Sequence, residues 1–195
     1  MRNIIIVFFM LILGFTLFIV PALAAGPWKG KVIDIETKEP LEGAVVVTVW
    51  ERVYRTPAGA SSYFYEAKET LTGKEGRFEI PSYTPINLLP LISYMRGPLF
   101  TIFKPGYGSL TMVLDKYLTG VSTEVYEMEL SGKMYRLSTG LIELPPLKTR
   151  EERRKVFPGL LMYDEANTKN YIRLLNIEAI EIGLDPYPEK GGKTK

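Results

Sequence analysis

The sequence predicts a mainly β protein, a β-sandwich preceded by an apolar N-terminal segment and followed by a helical tail. Three observations carry this expectation. Between residues 30 and 130 apolar residues either alternate with polar ones or form short β-branched runs. Gly- and Pro-rich turns separate these runs at close intervals. A helical period of apolar residues appears only beyond residue 149. The chain has 195 residues, 24 basic against 22 acidic, and a formal net charge of +2. That balance gives no electrostatic reason to bind nucleic acid. The chain contains neither Cys nor His. Disulfides, thiol nucleophiles, Ser/His/Asp triads and imidazole zinc sites are therefore excluded.

Met1-Arg2-Asn3 is a short basic start, and an apolar run follows from Ile4 to Val20. Pro21-Ala22-Leu23-Ala24-Ala25 then supplies an A-x-A pattern, so residues 1–24 are expected to be a signal peptide cleaved after Ala24. The run Ile4–Leu23 nearly reaches the roughly 20 apolar residues of a membrane span, which leaves an uncleaved inner-membrane anchor as the alternative. Either way the body is expected outside the cytoplasmic membrane, periplasmic or extracellular. Membrane contact is expected only through that N-terminal segment if it is retained.

Lys31–Ile35 opens the β region, and Thr37-Lys38-Glu39-Pro40 is a turn. Ala44–Trp50 is the strongest strand signal, and its nearly unbroken β-branched run implies burial on both faces. Residues 51–55 extend it as far as Thr56-Pro57-Ala58-Gly59. Ser61–Leu71 and Arg77–Ile80 read as two strands of a hairpin joined by Thr72–Gly76. Pro81–Pro98 is expected to be an ordered loop or short helical turn over one end of the sheets. Leu99–Phe103 and Ser109–Leu114 are further strands, and Val125–Leu130 alternates as an edge strand does.

A resemblance enters on these residues. Gly30-x-Val32-x-Asp34-x-x-Thr37-x-x-Pro40-Leu41-x-Gly43-Ala44-x-Val46 resembles the opening of carboxypeptidase regulatory-like domains. Thr72-x-x-x-Gly76-x-Phe78-x-Ile80 resembles their second signature, and Phe103-Lys104-Pro105-Gly106-Tyr107 their third. The three stand in the family's order across about residues 28–113. Gly73 replaces the family's usual Asp, and the 81–98 insertion exceeds the minimal module. The resemblance implies a transthyretin-like sandwich of seven strands over residues 28–130 and implies no catalysis. The hydroxyisourate hydrolases of the transthyretin fold use His, which this chain lacks.

Residues 131–195 are expected to be a connector and a helical extension. Leu141–Leu147 with Pro145-Pro146 reads as a rigid extended link. Thr149-x-x-Glu152 is a capping box opening a helix to about Phe157. Asp164 is positioned to cap a second helix ending at Ile182, with Gly183 as its C-cap. Its stripe of Tyr171, Ile172, Leu175, Ala179 and Ile182 leaves Leu174, Ile177 and Ile180 outside. Two readings stand, a helix docked on the sandwich and a partner-binding helix. Residues 186–195 are expected to fray.

No catalytic residue and no cofactor are expected. Asp34, Glu36 and Glu39 or Glu42 leave a Ca²⁺ site open, although alternation places 34 and 36 on one solvated strand face. The pairs Asp34/Glu36 and Glu127/Glu129 are the only basis for a carboxylate hydrolase of glycosidase type. Lys148, Arg150, Arg153, Arg154 and Lys155, mixed with Glu151 and Glu152, read as a solvated helix face. The expected function is that of a non-catalytic exported module binding a protein or polysaccharide of the cell envelope. A purely structural envelope domain is a further reading. The candidate contact residues are Tyr54, Tyr63 and Tyr65 on the sheet and Tyr171, Leu174 and Ile177 on the tail helix.

Overall fold

The computed structural model describes residues 25–57, 59–158 and 167–188. Residues 1–24, expected to be a signal peptide, and Asp164, the expected helix cap, lie outside these residues. Nine strands form two sheets: β1 (Trp28–Asp34), β2 (Val45–Thr56), β3 (Gly59–Leu71), β4 (Arg77–Ile80), β5 (Ser93–Phe103), β6 (Leu110–Met112), β7 (Tyr126–Leu130), β8 (Lys133–Ser138) and β9 (Leu141–Leu144). One sheet has the order β4-β1-β9-β8-β7 and the other β3-β2-β5-β6. Among the described residues three helices accompany them, α1 (Asp115–Leu118), α2 (Arg150–Lys155) and α3 (Lys169–Glu181). No helix among the described residues is long and apolar enough to cross a membrane.

The two sheets pack face to face as a β-sandwich. Val46, Trp50, Phe100 and Ile102 from one meet Val32, Phe78, Leu137 and Ile142 from the other in a single buried cluster. Alternation sends Val45, Val47 and Val49 to the opposite face of β2, where Tyr171, Leu174 and Leu175 of α3 cover them. The β-branched run is thus buried on both faces, as its composition implies. Trp28 donates its indole N–H to Asp115 Oδ1 at 2.7 Å, and its ring lies 5.7 Å from that of Trp50. α1 thereby satisfies the one polar atom of a fully buried tryptophan.

The seven expected strands are all present, and the edge position of β7 is as its alternation implies. Three readings change. First, β3 and β4 do not pair; they belong to different sheets, and β3 is the hairpin partner of β2. Residues 72–76 form the corner between the layers. The Thr72 hydroxyl accepts from the Ala44 N–H at 2.8 Å and donates to the Leu41 carbonyl at 2.5 Å. Gly76 has φ of +71°, and a Cβ there would overlap the Val32 carbonyl.

Second, the sandwich does not end at residue 130. β8 and β9 complete it, and β9 lies inside the five-stranded sheet, parallel to β1 with Val32 opposite Ile142. The stretch read as a connector is therefore a buried central strand, and its Glu143 is paired with Lys38. Third, residues 93–98 belong to β5 rather than to a loop, with Pro98 buried inside the strand.

The helices follow local chemistry up to their docking. The capping box of α2 is formed: Glu152 N–H donates to Thr149 Oγ1 at 3.1 Å, and Thr149 N–H to Glu152 Oε2 at 3.3 Å. Lys133, together with the backbone N–H of Lys148, holds the Glu152 carboxyl below its ordinary value. At the start of α3 the carboxylate of Glu69 on β3 accepts from the N–H groups of Asn170 and Tyr171 at 2.8 and 3.0 Å. The cap comes from another layer. At the other end Gly183 (φ +74°) donates to Ile180 O and Leu184 to Ala179 O, which is a Schellman closure. Tyr187 does not fray; its N–H donates to Asn176 Oδ1 at 2.8 Å.

Lys148, Arg150, Arg154 and Lys155 are exposed, as a solvated face implies, and Arg153 alone turns inward. Arg153 donates to Glu178 Oε1 at 2.7 Å and Oε2 at 2.6 Å, and Glu178, 2% exposed, also accepts from Gly106 N–H at 2.9 Å. This one carboxylate fastens α3 to α2 and to the corner after β5. Replacing Glu178 by Ala strands the Arg153 guanidinium, and we expect a loss of about 3 kcal/mol in chemical denaturation.

Burial pushes the Tyr135 phenol up to about 12. Its neutral form stabilises the fold fully below the unfolded value near 10, and this contribution is lost as pH rises toward 12. Thermal midpoints of the wild type and Tyr135→Phe should therefore converge or cross between pH 10 and 12, with up to about 2 kcal/mol at stake.

Candidate binding surface

β2, β3 and β5 outgrow the sandwich. The register shifts between Trp50 and Glu51 in β2, and the three strands continue past this bulge as an arm made of residues 51–56, 59–64 and 93–96. The segment 81–92 folds back over the arm and forms its apex. Tyr83 is bridged to Ala25, donating its N–H to the Ala25 carbonyl at 3.0 Å, and its ring lies 4.7 Å from Trp50. Burial, and after it the neighbouring Tyr65, raises the Tyr83 phenol above its ordinary value.

The apex is tied by its own polar groups. Asn87 Oδ1 accepts from Leu89 N–H at 3.1 Å and lies 3.0 Å from Ser93 Oγ, while Asn87 Nδ2 donates to Ser93 O at 2.9 Å. Ser93 N–H and Oγ both donate to Leu89 O at 2.9 Å, and Arg55 N–H donates to Ile92 O at 2.9 Å. The side chains this closure presents are apolar. Leu88 is 81% and Leu91 91% exposed, and Ile86, Leu89 and Ile92 are exposed as well.

Arginines and tyrosines surround the base of the apex. Tyr54 and Tyr63 meet edge to face at 5.6 Å. Arg52 lies over the Tyr65 ring at 4.8 Å, and Arg55 over Tyr94 at 5.4 Å. Arg52 Nη2 and Tyr65 Oη both donate to Ile86 O, at 3.4 and 3.2 Å. Arg52 Nε is buried and has no hydrogen-bond partner among the described residues. Arg96 donates to Glu51 Oε2 at 2.8 Å through Nε and is also bonded to Ser62.

The candidate residues therefore divide. Tyr54 and Tyr63 come together on the arm and Tyr65 lies at its base; Tyr63 is exposed, Tyr54 is half-buried, and Tyr65 is half-buried beneath the 81–92 segment. Tyr171 and Leu174 are not available to a partner: both are buried against β2, and the Tyr171 ring meets Phe103 at 6.1 Å. The buried stripe of α3 is Tyr171, Leu174, Leu175, Glu178 and Ala179, so Leu174 belongs to it and the helix is docked. Ile177 and Ile180 remain on its open face. The apolar apex escapes a reading by periodicity, because Leu88-Leu89-Pro90-Leu91-Ile92 has no strand or helix period. Its signal is a Pro-interrupted aliphatic run with no acidic residue from 81 to 98.

Asp34, Glu36 and Glu127 are each held by other partners. Asp34 is buried, not solvated: Oδ1 accepts from the N–H groups of Glu36 and Thr37 at 2.7 and 3.0 Å, and Oδ2 from Tyr107 Oη at 3.2 Å. Burial, then Asp34, pushes the Tyr107 phenol up. β1 ends at Asp34, so Glu36 lies in the turn, where it pairs with Lys148 at 2.8 Å. Glu127 pairs with Arg136 at 3.4 Å, and both Glu127 and Glu129 are exposed on edge strand β7. Among the described residues no three acidic side chains gather to hold a metal ion. An open depression beside β1 and β4 is lined by Lys29, Lys31, Arg77 and Glu79, with Lys29 paired to Glu79 at 3.2 Å.

No protein-family model, curated protein or solved structure matches the chain.

The Asn87–Ser93 staple is what holds the apex in one shape. Asn87→Ala removes its bonds to Leu89 N–H and Ser93 O, and we expect a local opening cost lower by about 1–2 kcal/mol. Amide exchange should quicken at residues 88–93 while the global unfolding midpoint changes little.

Proposed function

We propose that the chain is a non-catalytic exported module that binds a protein or polysaccharide of the cell envelope through the arm of β2, β3 and β5. The observation that carries this reading is the aromatic dressing of the arm, exposed Tyr63 against half-buried Tyr54 on one face and exposed Tyr94 with Arg55 on the other, presented on strands that extend beyond the two packed layers. Exposed aromatic rings and arginines on a rigid support are the usual anchors of recognition surfaces. The A-x-A pattern after an apolar run supports export, with the mature chain starting at Ala25.

The carboxypeptidase regulatory-like, transthyretin-like assignment belongs to the same proposal. Its support is the ordered set of three motifs and the part they play in the fold. Thr72 and Gly76 shape the corner between the layers, Phe78 and Ile80 enter the core, and Gly106 N–H is fixed by Glu178. These are fold-maintaining roles, which fits an accessory module.

The test compares wild type with the double variant Tyr54→Ser/Tyr63→Ser for retention on envelope preparations of the producing organism. We expect retention to fall at least several-fold while the unfolding transition keeps its cooperativity. Equal retention of the two proteins would overturn the reading. So would turnover of an envelope polymer that a single carboxylate substitution abolishes.

A further inference from the structure

We propose that the apex of the arm, residues 86–92, seats in the interfacial layer of a lipid bilayer carrying anionic headgroups. This rests on the reading of the arm as the contact surface and goes beyond it by naming what the apex touches.

The shape of the apex favours a bilayer over a protein groove. Leu88 and Leu91 are among the most exposed apolar side chains, and Ile86, Leu89 and Ile92 flank them on the same closed loop. A projecting knob of aliphatic side chains gains little from water and much from an acyl boundary. Part of the loop's backbone is satisfied within the protein. Leu89 O accepts twice from Ser93, Leu89 N–H is taken by Asn87, and Ile92 O by Arg55. Such a loop can leave water without stranding those polar groups, which is the chief obstacle to burying irregular backbone in lipid.

The rim matches a headgroup region. Tyr54, Tyr63 and Tyr94 stand at the base of the apex, with rings that suit the boundary between apolar and aqueous phases. The arm and its overlying segment carry Arg52, Arg55 and Arg96 against the single acid Glu51, with no acidic residue between 81 and 98. A positive rim around an apolar tip complements an anionic surface. The polypeptide enters the fold at the same end: Ala25 is bridged to Tyr83, three residues before Ile86.

The absence of Cys allows a site-specific test on the full chain. Leu91→Cys is labelled with an environment-sensitive fluorophore and mixed with vesicles of phosphatidylglycerol and phosphatidylcholine. Glu75→Cys, at the corner between the layers, serves as the control. We expect a blue shift at position 91 and quenching by lipids brominated near the headgroup, as for a segment about 5–10 Å deep, with no change at 75. Adding Leu88→Asp and Ile92→Asp should lower the quenching roughly tenfold or more. Because probe position is read directly, retention of the N-terminal segment in lipid cannot imitate this result.

A water-like spectrum at 91 in vesicles overturns the proposal. Equal quenching at 75 overturns it too, as does protection at 91 that follows protein concentration instead of lipid, which would identify a second copy as the occupant. If the probe stays in water while retention on envelopes still depends on Tyr54 and Tyr63, only the lipid proposal falls. If both fail, the arm is not a contact surface.

Discussion

The fold depends on β2 being buried on both faces. Val46 and Trp50 point between the sheets, while Val45, Val47 and Val49 point away from them. Full burial of one aliphatic side chain contributes about 1.5–3 kcal/mol, so neither face can be left to water. The second sheet covers one side. On the other, the tail must return and lay α3 across the sheet. Glu69 fastens the start of α3 and Glu178 its far half, so the apolar docking is bounded by polar contacts that set its position.

The same central strand creates the arm. At the bulge after Trp50 the layers end, yet β2, β3 and β5 continue their pairing. Beyond that point a side chain has no facing sheet to bury it. Aromatic rings and guanidinium groups there cover one another, as Arg52 does with Tyr65 and Arg55 with Tyr94. The 81–92 segment supplies the remaining cover through Tyr83 and turns its aliphatic side chains outward. These rings and guanidinium groups thus stand on strands anchored in the core, which gives them a fixed geometry.

Much of the fold was legible. The seven strand segments, the capping box at Thr149 and the C-cap at Gly183 depend on neighbours within a few residues, and all are present. Other features were not. Arg77–Ile80 looks like the return strand of a hairpin, because nothing local shows that the corner at Thr72–Gly76 crosses between sheets. Leu141-Ile142-Glu143-Leu144 followed by two prolines reads as a link, and only its parallel pairing with β1 makes it a central strand. Among the candidate contact residues Tyr54 and Tyr63 come together on the arm and Tyr65 lies at its base. Leu174, assigned to the free side of its helix, lies in the buried stripe, because the approach direction of the sheet decides which face of a helix is covered.

By itself the sequence determined where seven of the nine described strands and the two tail helices form, since side-chain alternation, β-branching, proline and capping groups act over a few bonds. It also determined the chemistry on hand, with no thiol or imidazole in the chain. Tertiary structure alone decided which strands became neighbours, which acid capped a helix from another layer, and which apolar residues stayed in water. Those outcomes depend on long-range closure of the chain and on shared burial, and no local run of residues encodes either.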